Sequence, residues 1–272
     1  MSHEVVVIIG TGGMGAAIAR RQGGGRTLVI ADLPHALDQP TAQLRAEGFE
    51  VTPVPVDVTS KESLTSLAEA ASAHGAVINV VHTAGVSPVQ APIETILRVD
   101  LLGVALALEV FEGVIAENGA GLVISSMAGH IYPPLPADQV RLLATTPAEA
   151  LLDLAFITPA ALGDPGTAYG IAKQANRARV QAASVDWGRR GARVNSISPG
   201  VISTAMGQEE LAGGNGEMMR TLVSMSGTGR VGTATDIADA AAFLLGNAAS
   251  FITGADLLVD GGVVAALAAS SG

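Results

Sequence analysis

Short apolar runs alternate along this chain with longer segments whose apolar residues recur at helical spacing. The runs are Val5–Ile9, Thr27–Ala31, Val51–Val56, Val77–His82, Leu122–Ser125, Arg193–Ser198 and Asp256–Val259. Most are rich in β-branched residues and lack a regular polar alternation, the pattern of strands covered on both faces. Between them the spacing predicts helices over Gly13–Gln22, Lys61–Ala73, Ile93–Glu117, Ala168–Arg189 and Thr235–Leu245. Strand and helix in alternation predict an α/β fold: a doubly wound, seven-stranded parallel sheet with helices on both faces, in one domain spanning residues 1–272.

One stretch departs from this rhythm. Between Ser126 and Tyr169 no strand-like run occurs, and a helical insertion is expected at about 130–166. Thr146-Pro147-Ala148-Glu149 reads as a capping box opening a helix, Thr158-Pro159 as the start of a short turn closed by Gly163. The Ala- and Ser-rich residues after Gly262 read as a flexible end.

Composition narrows the picture. Of 272 residues 49% are hydrophobic but only 3% aromatic, so the core is aliphatic. The formal charge of −10 and the scattered basic residues argue against nucleic acid, which requires clustered Lys and Arg. Without cysteine there is no disulfide, thiolate metal site or cysteine nucleophile. The amino terminus has no basic start or cleavage region, and its first apolar run is too short to span a bilayer, so a cytoplasmic location without membrane attachment is expected. No set of His, Asp and Glu has metal-ligand spacing.

Gly10-Thr11-Gly12-Gly13-Met14-Gly15 follows a predicted strand and opens a predicted helix. In that context Gly10, Gly12 and Gly15 form a dinucleotide fingerprint: glycine lets the backbone approach a pyrophosphate, and the helix N-terminus offers free N–H groups. Asp32 ends the second strand at the expected distance, followed by the apolar Leu33-Pro34. A carboxylate there accepts ribose hydroxyls and repels a 2′-phosphate, which favours NAD over NADP. Tyr169 and Lys173 fall on one helix face, where an ammonium makes a phenol a usable proton shuttle.

With this pair in place the chain resembles the short-chain dehydrogenase/reductase family over essentially its whole length, which implies a Rossmann-like fold. Val123 to Gly129 resembles the fifth strand and its catalytic serine, assigned to Ser126. His82-Thr83-Ala84-Gly85 is similar to the family's Asn-Ala-Gly segment, Val56-Asp57-Val58 to its adenine-contacting segment, and Asn195 to Thr204 to its nicotinamide loop. The resemblance implies that Tyr169 exchanges a proton with the substrate oxygen, Ser126 orients that oxygen, and Lys173 binds ribose and lowers the phenol pKa. It implies NAD contacts at Gly13, Met14, Leu33, Asp57, Val58, Thr83, Ala84, Gly85, Tyr169, Lys173, Pro199, Gly200, Ile202 and Thr204, and substrate contacts at Ser126, Ala128, His130, Tyr169 and Met206. The family's fourth catalytic position, usually Asn acting through its main-chain carbonyl, is Asp100 here. The glycine loop is one residue shorter than usual, and His82 replaces an asparagine that ties strands together.

These features imply an NAD-dependent interconversion of a secondary alcohol and a ketone, on a small apolar substrate of steroid or terpene type. A 3-oxoacyl-thioester reductase and a non-catalytic NAD sensor are the alternatives. The family resemblance further implies a substrate lid at about 205–228 and a homotetramer, or a dimer if the insertion covers the long helix pair.

Overall fold

The computed structural model describes residues 3–214 and 216–270. Seven parallel strands form one sheet in the order β3-β2-β1-β4-β5-β6-β7. They are β1 (Glu4–Ile9), β2 (Thr27–Asp32), β3 (Glu50–Pro55), β4 (Ala76–His82), β5 (Ile115–Ile124), β6 (Arg193–Pro199) and β7 (Asp256–Val259). The helices are α1 (Gly13–Gln22), α2 (Asp38–Ala46), α3 (Lys61–His74), α4 (Ile93–Ile96), α5 (Val104–Glu112), α6 (Ala128–Ile131), α7 (Ala137–Thr145), α8 (Pro159–Leu162), α9 (Pro165–Arg189), α10 (Ala205–Ala212), α11 (Gly216–Met225), α12 (Ala234–Leu245) and α13 (Val263–Ser270).

The sheet divides the core in two. Val5, Val7 and Ile9 of β1 face the side packed by α3, α5 and α9, while Val6 and Ile8 face the side packed by α1 and α12. Both faces of β1 are buried, which is why its sequence shows no polar alternation. Strand order reverses between β1 and β4, and the carboxyl ends of these strands open a crevice there.

Three expectations are corrected. The predicted helix over Ile93–Glu117 is interrupted by a π-helical segment, Leu97–Gly103, and ends at Glu112. Residues from Ile115 onward enter β5, with Asn118 (φ 63°) in a bulge where its N–H bonds Gly191. The capping box at Thr146 is absent: Ala148–Asp153 forms a 3₁₀ turn, and Glu149 instead pairs with Lys61 at 2.7 Å. Within the described part of the tail, Val263–Ser270 is helical, because Ala is the best helix former and the Asp260 carboxylate accepts the N–H groups of Gly262 and Val264; residues 271–272 lie outside the described residues.

The segment between α6 and α9 holds α7, the 3₁₀ turn and α8. Leu143, Ala148, Leu151 and Ile157 are buried in the main core. Arg179 of α9, nearly buried, fastens the segment by donating to the carbonyls of Leu143 (3.0 Å) and Thr146 (2.8 Å) and to Glu109 (3.0 Å). Parts of α5 and α9 are thereby packed by the chain's own residues, while Val185 near the end of α9 stays exposed.

His82 closes β4 in register with Ile9 and Val123, and neither ring nitrogen has a hydrogen-bond partner. It therefore does not tie strands together as an asparagine would. Burial first, and the Lys173 cation second, push its pKa down to about 3. The folded state holds this imidazole neutral while the unfolded chain protonates it near pH 6.5, so stability falls as pH drops from about 6.5 towards 3. His82→Leu should reduce the loss of unfolding free energy between about pH 7.5 and pH 5 by about 2 kcal/mol. Urea denaturation of both proteins at the two pH values checks this; parallel losses would contradict it.

Candidate active site

The glycine loop joins β1 to α1. Gly10 has φ +95°, and a Cβ there would lie 2.4 Å from the Ala84 nitrogen; a Cβ on Gly15 would lie 2.0 Å from the Gly10 carbonyl oxygen. Only glycine permits that turn. No side chain caps α1, so its first amides open onto a crevice of about 330 Å³. Gly10, Gly12, Gly13, Met14, Gly15, Asp32, Leu33, Asp57, Val58, Thr83, Ala84, Gly85 and Thr204 all line it. At its far end the Asp32 carboxylate accepts from the Thr11 N–H (2.7 Å) and hydroxyl (2.8 Å) and from the Leu33 N–H (2.8 Å). A cradle of free helix amides with a carboxylate beyond it fits a dinucleotide's pyrophosphate and ribose.

A second cavity of about 650 Å³ adjoins the crevice, sharing Met14, Thr204 and Met206. Ser126, Ala128, Tyr169, Pro199, Gly200 and Ile202 line it with Val89, Ile131, Met218, Met219 and Leu222. Thr204 also caps α10, its hydroxyl accepting the Gly207 N–H. The two serines ending β5 are separated by their contacts. Both line the cavity, but Ser125 is buried and donates to the Lys173 carbonyl at 3.0 Å, whereas Ser126 is half-buried, accepts the Ala128 N–H at 3.1 Å and lies close enough to Tyr169 to lower its pKa.

Tyr169 and Lys173 are adjacent on α9, the lysine Nζ lying 5.0 Å from the centre of the phenol ring. Lys173 is only 3% exposed and lies beneath the cavity rather than on its wall. Its Nζ donates to the Asp100 Oδ1 at 2.7 Å, and the other Asp100 oxygen accepts the Val86 N–H at 3.2 Å. Asp100, fully buried on the π-helical segment, thus meets the lysine with its carboxylate, where the family resemblance implies a main-chain carbonyl. Gly85 leaves room for this pair, since a Cβ there would meet Asp100 at 2.7 Å. The charges compete at the phenol. Burial pushes the Tyr169 pKa up, Lys173 pulls it down, Asp100 pushes it up again, Ser126 lowers it and Glu210 raises it slightly; the net direction is upward.

His130 is corrected. It does not line the cavity: its Nε2 lies 2.8 Å from Asp256, a carboxylate that also accepts from Ser196 and Ser198 and pairs with Arg177. This polar hub fixes α6, the turn that follows Ser126, onto α9 and β7. Arg177 adds a bond to the Gly129 carbonyl at 2.9 Å.

Among the lining residues that sequence reading passed over, two bear polar groups on long side chains, Tyr132 and Glu210. Tyr132 packs on α9 where Gly170 leaves space, since a Cβ on Gly170 would lie 2.4 Å from the Tyr132 ring. The glycine beside Tyr169 was the available signal. Glu210 is the one carboxylate among the lining residues, and its position on a polar-looking helix gave no cue.

A sequence model of the family described as "Enoyl-(Acyl carrier protein) reductase" matches residues 9–264. The chain is 42% identical over 269 residues to the short-chain dehydrogenase/reductase bsc3 of Alternaria brassicicola, with 98% of each chain covered. It is 28% identical over 275 residues to the cis-4-hydroxycyclohexanecarboxylate dehydrogenase of Sinomonas cyclohexanicum, covering 97% of this chain and 98% of that one. Among solved structures, a short-chain dehydrogenase/reductase from Serratia marcescens BCRC 10948 matches with TM-score 0.74 at 23% identity, over 96% of this chain and 98% of that one, a likeness of fold. By the extent of these matches, the chain belongs to the short-chain dehydrogenase/reductase family of oxidoreductases.

Proposed function

We propose that this protein is an NAD-dependent oxidoreductase that interconverts a secondary alcohol and a ketone on a largely hydrocarbon, ring-sized small molecule. The observation that carries the reading is the placement of Ser126 and Tyr169 on the wall of an apolar cavity that opens into the glycine-lined crevice. Its volume of about 650 Å³ falls in the range of small-molecule sites. The cyclic alcohol in the name of the Sinomonas relative supports the reaction class. No lysine or arginine is among the lining residues to receive an acyl carrier, which counts against a thioester reductase.

The crevice residues would hold NAD, with the amides of Gly13 to Gly15 on the pyrophosphate, Asp32 on the adenosine ribose, and Asp57 and Val58 beside the adenine. Thr83, Ala84 and Gly85 form the crevice floor, and Pro199, Gly200, Ile202 and Thr204 would hold the nicotinamide end. When bound, the nicotinamide supplies the hydride acceptor or donor. The Tyr169 oxygen takes the hydroxyl proton during oxidation and returns it during reduction, while the Ser126 hydroxyl donates to the same substrate oxygen. Lys173, held by Asp100, keeps a positive charge under the phenol and favours its ionised form. The arm formed by α10 and α11 serves as a lid, and its Met206, Met218 and Met219 adapt to an apolar guest.

The packing of α7 and the 3₁₀ turn against α9 and α5 supports a dimer over a tetramer, because it covers part of the long helix pair. An apolar face elsewhere stays open: Phe243 of α12 is 44% exposed, and Phe251, just before the edge strand β7, is fully exposed.

Purified protein should turn over ring-sized secondary alcohols with NAD at least ten-fold more efficiently than with NADP. Tyr169→Phe should lower kcat by about 10²-fold or more with NAD affinity nearly unchanged. Wild-type NAD binding without turnover of any such alcohol would point to the sensor instead. In light scattering the protein should run as a dimer that Phe251→Asp dissociates; a tetramer would contradict the covered-helix assignment.

A further inference from the structure

The substrate cavity holds one carboxyl group that lies outside the Ser126, Tyr169 and Lys173 set, although its charge is felt weakly at the phenol. Glu210 of α10 lies on the wall, half-buried, amid Val89, Ile131, Met218, Met219 and Leu222. Among the described residues nothing meets its carboxyl group with a hydrogen bond or an ion pair. Its neighbour Glu209 is different: it faces outward and accepts from Gln90 at 2.6 Å, fastening α10 to the loop after β4. The helix is thereby anchored in an orientation that leaves Glu210 on the cavity side.

Placing a carboxyl group on the wall of an apolar cavity without a partner costs free energy, because the group loses part of its water and gains no bond in return. A guest that brings a hydrogen-bond donor recovers that loss, and one that brings an anion aggravates it. Burial pushes the Glu210 pKa up, in keeping with a site that has no cation of its own.

Resting on the proposed alcohol–ketone reaction, we infer that Glu210 is a specificity-determining residue that selects substrates bearing a second hydroxyl group remote from the reacting carbon. It accepts that hydroxyl while Ser126 and Tyr169 engage the reacting oxygen, so a rigid hydrocarbon guest is fixed at two points. The same carboxylate rejects guests with a carboxylate in that place. The chain should therefore diverge from the Sinomonas relative, whose named substrate is a hydroxycyclohexane carboxylate.

A matched set on one scaffold tests this: decalin-2-ol, decalin-2,6-diol and 6-hydroxydecalin-2-carboxylate, each assayed for kcat/KM with NAD and for binding to the NAD-saturated protein by calorimetry. Wild type should favour the diol over the mono-alcohol by at least about ten-fold, the size of one hydrogen bond to a charged group, and should take the carboxylate worst. Glu210→Leu should bring the diol and mono-alcohol within about two-fold of each other, while Glu210→Gln should keep part of the diol preference and admit the carboxylate. Each ratio is taken within one protein, so altered folding does not imitate the effect. Turnover with ratios unchanged by either variant overturns the Glu210 assignment and leaves the reaction standing. Failure of all three compounds to bind or react overturns the proposed substrate class, and this inference with it.

Discussion

The structure is organised around one buried ion pair. Lys173 and Asp100 meet at 2.7 Å with almost no solvent contact, in a chain whose interior is mainly aliphatic. An isolated ammonium in that position would shed its proton or open the fold, so the lysine needs a partner to remain a cation under Tyr169. Asp100 provides it, and the π-helical segment Leu97–Gly103, the gap at Gly85 and the Val86 N–H all serve to seat that carboxylate. The geometry couples fold to chemistry, because whatever moves Asp100 changes the charge felt by the phenol.

That coupling has a cost at the phenol. A water or amide beside the lysine would leave its positive charge unopposed, whereas a carboxylate cancels part of it, and burial already disfavours phenolate. Tyr169 is therefore a weaker acid than an ordinary tyrosine. Proton exchange at neutral pH then depends on how far Lys173 offsets burial and Asp100. His82 shows the same cation acting at a second place, since Lys173 helps to hold that imidazole neutral.

The sheet was readable from the sequence because strands buried on both faces leave unbroken aliphatic runs, and β1, β2 and β7 begin or end within a residue of the expected positions. The crevice was readable because glycine spacing after a strand has few other uses. Tertiary contacts overruled local pattern elsewhere. Helical spacing runs to Glu117 and the next apolar run starts at Leu122, yet β5 begins at Ile115 and passes Asn118 by means of a bulge against Gly191. Thr146-Pro147-Ala148-Glu149 has a capping-box pattern, but Arg179 takes the Thr146 carbonyl and Lys61 takes Glu149. His130 stands where a substrate contact was expected, and a distant carboxylate, Asp256, claims it instead. Glu210 was illegible for a similar reason: which face of α10 looks inward is set by the bond between Gln90 and Glu209.

The central claim, that the Lys173 charge and its Asp100 partner set the acidity of Tyr169, can be read directly because the chain has only two tyrosines. Protein labelled with ¹³C at the tyrosine Cζ gives one signal each for Tyr132 and Tyr169, assigned by Tyr132→Phe and followed through a pH titration. The account predicts a Tyr169 midpoint above the ordinary tyrosine value in wild type, higher still in Lys173→Met, and lower in Asp100→Asn. A midpoint that is the same in all three proteins, or that falls when Lys173 is removed, would contradict it.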